Sequence, residues 1–407
     1  MTEVDNHLLA QKVLPGGAGR TGLFVGGRIP PAAVRGVGCR LLDETGRWII
    51  DAHNNFTVLI HGHGYAPAVN AVVSLAESGS FCFGVPHNTE YQLAATIADR
   101  IESVEQVRFT NSGTEAVQTA MRLARASTGR STMIGVGGAY HGSGDAALAI
   151  SGGYQKAGIP AEVSALSRPV PFNDVDALEA AAAEAGDDLA MIIVDLMANY
   201  TGLRQLSEEY LRAARRLCDT TGAMLAFDEV VSLRHHVGGL QAAVSVRPDL
   251  TTMGKIIGGG LPVGAIGGNT RAMALLDPTR PGAIYSSGTF TGNPLTMAAG
   301  LATLEGLDSA AIERINSLGA RLRESLGARL PEGWGVRGYG SLARVLRADG
   351  SAAPSAFFWK ALDHGLLVTP AALVVISTAM DDGVIDEIIE KLVAAAREVT
   401  DAENAIS

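Results

Sequence analysis

Cysteine is scarce in this chain. Cys39, Cys82 and Cys218 are odd in number, far apart and in no ligand spacing, which excludes a disulfide scaffold and reads as reduced thiols of a cytoplasmic protein. Aromatic residues make up only 5% of 407 residues, and 32 Lys and Arg stand against 42 Asp and Glu, a formal charge of −10. That sign argues against nucleic acid or an anionic membrane surface as a partner. No apolar run approaches the roughly 18 residues of a membrane span. The opening MTEVDNHLLAQK lacks the apolar core of a secretory signal.

What is abundant is apolar residues, at 47%, and glycine, 49 in number. The first suits a folded chain with a large core, and the length suits two domains. The second suits tight turns and close backbone approaches. Apolar runs at 107–109, 132–136, 191–195 and 223–228 alternate with amphipathic segments such as 88–101, 116–124, 177–185 and 210–218. Strands alternating with helices predict an α/β fold with a mostly parallel sheet. Val34–Ala52 alternates as a small antiparallel sheet with a hairpin turn at Asp43-Glu44-Thr45-Gly46. We expect an N-terminal arm and part of a small α+β domain in 1–60, a large domain in 61–305, and the rest of the small domain in 306–407.

The chain is organised around Phe227–Lys255. An apolar strand ends on Asp228-Glu229, and a second short strand delivers Gly254-Lys255 ahead of a glycine-rich turn. An acid and a lysine at neighbouring strand ends suit a cofactor with a basic ring nitrogen and an aldehyde. Pyridoxal phosphate (PLP) has both: the lysine joins the aldehyde and the carboxylate keeps the pyridine nitrogen protonated. The plainer alternative is a solvated loop lysine and an acidic helix start.

Other residues fall on the same rim. Asn111-Ser112-Gly113-Thr114 sits between a strand and a helix, where free N–H groups and hydroxyls suit a phosphate, or simply cap the helix. Tyr140 follows a strand in a glycine-lined turn and could lie flat on a planar ring. Asp195 ends the strand 191–195. Ligands of parallel sheets bind beyond the carboxyl ends of the strands, and Ser112, Tyr140, Asp195, Asp228 and Lys255 all belong there. His61 with His63, and His235 with His236, lack a third ligand in register, so no metal is expected.

These residues carry a family likeness. Asn111-Ser112-Gly113-Thr114-Glu115-Ala116, Tyr140-His141-Gly142, Phe227-Asp228-Glu229-Val230, the Gly254–Gly260 run and Gly288-Thr289-Phe290-Thr291-Gly292-Asn293-Pro294 resemble class III PLP-dependent aminotransferases. The likeness is to the branch of glutamate-1-semialdehyde aminomutases and β-amino-acid aminotransferases. It implies PLP-dependent transferase fold type I and a homodimer with shared active sites. Lys255 would link to the cofactor and Asp228 pair with its ring nitrogen, while Ser112, Gly113 and Thr114 hold the phosphate. Tyr140 would cover one ring face and Val230 the other, and Thr289 would reach the neighbouring subunit's phosphate.

Departures from the family pattern bear on the substrate. Asp195-Leu196 stands where relatives have Glu-Pro, which leaves Asn199 or Tyr200 as the candidates for the group near the cofactor's phenolic oxygen. Ser232-Leu233-Arg234-His235-His236 replaces Thr-Gly-Phe-Arg, and no arginine lies between Arg347 and Arg397. Leu23 stands where the aminomutases place a carboxylate-binding arginine, with Arg20 three residues earlier, where β-amino-acid enzymes place theirs. The expected activity is therefore amino transfer from an amino acid, with a β-amino acid as the candidate class, to a keto acid. Arg20 is expected on the substrate carboxylate and Phe56 on an apolar wall. The alternatives are a 2,1-aminomutase of the glutamate-semialdehyde type and, remotely, a non-catalytic protein on the same fold.

Overall fold

A computed structural model describes residues 3–79, 81–152, 157–198 and 201–405. Two compact units divide the chain, Met1–Tyr65 with Glu313–Ser407, and Ala66–Ile312.

The larger unit is built on a seven-stranded sheet. Its strands lie in the order Gln106–Thr110, Gly264–Gly268, Leu250–Gly254, Met224–Asp228, Leu189–Val194, Thr132–Val136, Ser167–Val170. Only Gly264–Gly268 runs against its neighbours; the pairings from Leu250–Gly254 across to Ser167–Val170 are all parallel. Leu189–Val194 is buried at every residue, as a parallel strand covered on both faces must be. The fold is α/β, as the alternation predicts.

Helices begin and end where the sequence dictates. Gly113–Thr128 starts on Ser112, whose Oγ accepts from Glu115 N at 3.2 Å, and stops at Gly129, φ 70°. Its Ala116, Val117, Ala120, Met121 and Ala124 are buried, the expected apolar face. Glu208–Thr221 is capped in the same manner by Ser207 and Gly222. Asn88–Arg100 stops one residue short of the predicted 101, where Ile101 turns extended.

The smaller unit holds two sheets. One has Ala33–Val37, Arg40–Asp43 and Trp48–Asp51 in an antiparallel meander, with Leu366–Leu367 added parallel to its edge. The other is antiparallel: Trp334–Arg337, Leu342–Arg347 and Leu373–Val375. The helix Asp382–Asn404 buries Ile385, Ile388, Ile389, Leu392 and Val393.

Candidate active site

Register brings the rim together. Asp228 lies opposite Thr252, Phe227 opposite Val194, and Gly264 opposite both Gly254 and Thr110. The carboxyl ends of four parallel strands therefore deliver Ser112, Asp195, Asp228 and Lys255 to one edge of the larger unit, as expected.

Asp228 is 5% exposed and doubly held. Its Oδ1 accepts from Val230 N at 3.1 Å, and its Oδ2 lies 2.7 Å from His141 Nδ1. A carboxylate has no hydrogen to give, so Nδ1–H donates. That leaves His141 Nε2, which is buried with no protein partner. His141 stands in the Tyr140-His141-Gly142 motif, which by itself assigns the histidine no role. Its signal was position, next to Tyr140 in the glycine-lined turn, yet nothing in a single chain marks it as the carboxylate's partner.

Lys255 has φ 51°, left-handed for a residue with a side chain, just past the end of its strand. Burial holds its amine below the ordinary lysine range, against the opposing pull of Asp228 and Asp195. Asp195 responds the other way. Burial first, and the charge of Asp228 next, push its carboxyl well above the ordinary range, though Met197 N donates to Oδ1 at 3.0 Å. Asp195 is thus held toward the neutral acid, a hydrogen-bond donor. Asn199 and Tyr200, the alternatives for that neighbourhood, lie outside the described residues.

Glycines give the rim its closeness. A Cβ at Gly113 would meet the Val230 side chain at 3.1 Å, and one at Gly142 would meet Thr114 Oγ1 at 2.6 Å. A Cβ at Gly264 would run into the Ser112 carbonyl oxygen. Ser112 Oγ caps its own helix, and its hydroxyl hydrogen remains to donate outward. Tyr140 is 42% exposed. Thr289 is exposed, with its carbonyl oxygen 3.9 Å from Cys82 Sγ.

Glu229, beside Asp228, serves the scaffold. Its fully buried carboxylate accepts from Ser232 Oγ at 2.5 Å, Leu240 N at 3.0 Å and Gln241 N at 2.7 Å, pinning the loop that carries His235 and His236. Among the described residues no three His, Cys, Asp or Glu could hold a metal ion.

The remaining sequence candidates, Arg20 and Phe56, belong to the smaller unit. Arg20 Nη1 donates to Asn55 Oδ1 at 2.9 Å, and its guanidinium carbon sits 5.4 Å from the centre of the Phe56 ring. Both contacts come from a left-handed turn: Asn54, Asn55, Phe56 and Thr57 have φ of 46°, 48°, 55° and 78°. Such backbone costs about 1–2 kcal/mol per residue for L-amino acids. It is held by Asp51 Oδ1, which accepts from His53 N and Asn54 N at 2.9 and 2.8 Å, and by Asn54 Nδ2 donating to Val375 O at 2.8 Å. Burial pushes the His53 imidazole down to about 4, so it is neutral and its Nδ1 accepts from Phe56 N at 3.1 Å. Arg20, Asn55 and His53 line a cleft of about 430 Å³ with apolar walls from Leu23, Ile29 and Phe358.

Comparison with known proteins sets the site in context. The chain is 40% identical over 315 residues, 75% of its length and 74% of the relative's, to a glutamate-1-semialdehyde 2,1-aminomutase of Ignicoccus hospitalis. Its fold matches an omega-transaminase of Sphaerobacter thermophilus at a TM-score of 0.92, 35% identical over 97% of each chain. A transaminase solved with PLP bound matches at 0.93, 35% identical over 98% of each. The family profile for class-III aminotransferases spans residues 26–396, and with a half-buried lysine, an acid and a helix start on one rim, the chain belongs to the class-III aminotransferase family.

Proposed function

We propose that this PLP-dependent class-III enzyme moves an amino group on a small carboxylated amine, with Lys255 as the residue that carries the proton. When bound, PLP supplies the electron-poor ring that stabilises a carbanion next to the substrate nitrogen. The residues fit that cofactor. The observation that carries the reading is the pairing of a half-buried lysine, its amine lowered by desolvation, with the Asp228–His141 couple on the same rim. Asp228 is the group to hold a ring nitrogen in its protonated form, and Val230 N and His141 Nδ1 fix the orientation of its carboxylate. Ser112, Gly113 and Thr114 offer a helix N-terminus and two hydroxyls to a phosphate, with no Cβ at Gly113 to keep it away. Tyr140 and Val230 are the proposed flanks of the ring.

A neutral Lys255 Nζ can take a proton from the substrate carbon and return it elsewhere, and its depressed basicity keeps more of it neutral near pH 7 than a free lysine would be. Asp195, held toward its protonated form by burial and the charge of Asp228, can donate a hydrogen bond where relatives of the family pattern carry a glutamate. Arg20 is the proposed carboxylate anchor and Phe56 its apolar neighbour, and Thr289 is proposed to complete the phosphate site of a second copy in a homodimer.

Two outcomes remain for the amino group. Exchange within one molecule, as in a 2,1-aminomutase, is backed by the relatives at 40% identity that carry that name. Net transfer to a separate keto acid is favoured by a different observation, the 35% identity to a transaminase over 97% of both chains. A panel of carboxylated amines with pyruvate or 2-oxoglutarate separates them. Amino transfer that requires the keto acid supports the transaminase. Conversion of glutamate semialdehyde without one supports the aminomutase. If borohydride fixes the cofactor to a lysine other than Lys255, both readings fail.

A further inference from the structure

We infer that Asn55 is a positioning residue: the left-handed turn at 54–57 uses its amide to aim the Arg20 guanidinium while leaving the arginine's charge free for a substrate carboxylate. The inference rests on the reading of Arg20 as the carboxylate anchor.

Three observations lead to it. First, Asn55 Oδ1 is the acceptor for Arg20 Nη1, and among the described residues no carboxylate pairs with that guanidinium. A neutral acceptor orients a cation without cancelling it, so the second edge of the planar fork keeps full charge for a bidentate anion. Second, the turn is divided by burial. Asn54 and Thr57 are buried and tie it to the unit, whereas Asn55 is exposed and Phe56 half-buried beside the arginine. Third, the fold maintains this unfavourable backbone with a dedicated set of bonds. Asp51 serves two amides with Oδ1 and contacts His63 Nε2 at 2.7 Å with Oδ2; the His53 ring meets the Phe56 ring at 4.1 Å between centres. Asparagine tolerates left-handed backbone better than most residues and carries the acceptor as well, so both requirements fall on one side chain.

The apolar walls of the same cleft place the rest of the ligand. Leu23, Ile29 and Phe358 suit a short hydrocarbon portion beside the carboxylate, and the Asp51 carboxylate on the same lining disfavours a second negative charge. The chemical class is a monocarboxylate with an apolar body.

The test uses holoenzyme with three substitutions and two matched amines, 3-aminobutanoate and its decarboxylated counterpart 2-aminopropane, with butanoate as an unreactive binding probe read by calorimetry. Asn55→Gly removes the acceptor and suits φ 48°, so its melting temperature should not fall while butanoate binding weakens about ten-fold or more. Asn55→Asp keeps the shape and the bond but cancels the charge. It should weaken butanoate further and raise KM for 3-aminobutanoate, with kcat and the 2-aminopropane rate little changed. Arg20→Ala should lose butanoate binding altogether. If both Asn55 variants bind butanoate within about two-fold of the parent while Arg20→Ala does not, the positioning inference is overturned and the anchor stands. If the parent fails to bind butanoate, or Arg20→Ala binds it unchanged, the anchor itself falls.

Discussion

His141 Nδ1 and Asp228 Oδ2 lie 2.7 Å apart with both residues buried, one from the turn after Thr132–Val136 and the other at the end of Met224–Asp228. With Leu189–Val194 between their strands, neither side chain could reach the other unless the sheet order were fixed first. The pair makes the acid's orientation a property of the whole sheet.

His141→Phe should therefore loosen the acid without unfolding the protein. The expected result is roughly 10–100-fold lower kcat and faster loss of PLP on dialysis, followed by cofactor absorbance. His141→Asn, which can still donate, should recover part of both. An unchanged dialysis rate would remove His141 from the cofactor's support.

Asp195 gives a pH prediction whose sign follows from its surroundings. Its folded-state carboxyl is raised, so above the ordinary carboxylate range the native state holds a proton that the unfolded chain has released. Its contribution to stability is largest at low pH and declines as pH rises toward the raised value. Asp195→Asn, neutral at every pH, should raise the melting temperature at pH 8 more than at pH 5. The opposite order, seen by calorimetry, would show the carboxyl to be ionised in the fold.

Glu229→Ala should be severely destabilising. It strands the donors of Ser232, Leu240 and Gln241 in a buried space and should cost roughly 3–5 kcal/mol. Urea unfolding measures it. Glu229→Gln, which keeps one acceptor oxygen, should cost less.

Subunit exchange tests the proposed role of Thr289. Lys255→Ala and Thr289→Ala are each expected to be inactive or nearly so. If the threonine serves the other copy's site, mixing them should generate heterodimers with one intact site and one doubly damaged site, recovering part of the parent activity. A fully active isolated monomer would refute the shared site.

The sheet and its rim were legible in the sequence because the buried parallel strands 189–194 and 224–228 are apolar runs that reach an acid at their ends, Val194 then Asp195 and Phe227 then Asp228, and Gly254-Lys255 follows a short strand in the same manner. Gly264–Gly268 was not legible as a strand, since three of its five residues are glycine and the run carries no alternation. Those glycines are required by neighbours distant in sequence, Ser112 and Val104 among them. The turn at 54–57 was hidden for a related reason. Phe56 and Thr57 disfavour positive φ, and only the anchoring by Asp51, His53 and Val375 O imposes it. His141 was hidden because its importance lies in its partner, which the sequence places far away.

The lone reversed strand also sets the order in which the site can be made. Gly264–Gly268 hydrogen-bonds Gln106–Thr110 on one side and the lysine's strand on the other, so the strand that leads to Ser112 joins the lysine's strand in the sheet only through a segment synthesised after both. Closing contacts so distant along the chain is slow, and chains fold as they emerge. During synthesis the strands from Thr132 to Asp228 can pair while the rim is still open. A nascent chain halted before residue 264 would hold every proposed cofactor residue except Thr289, and still lack the strand that joins the Ser112 and Lys255 ends of the sheet.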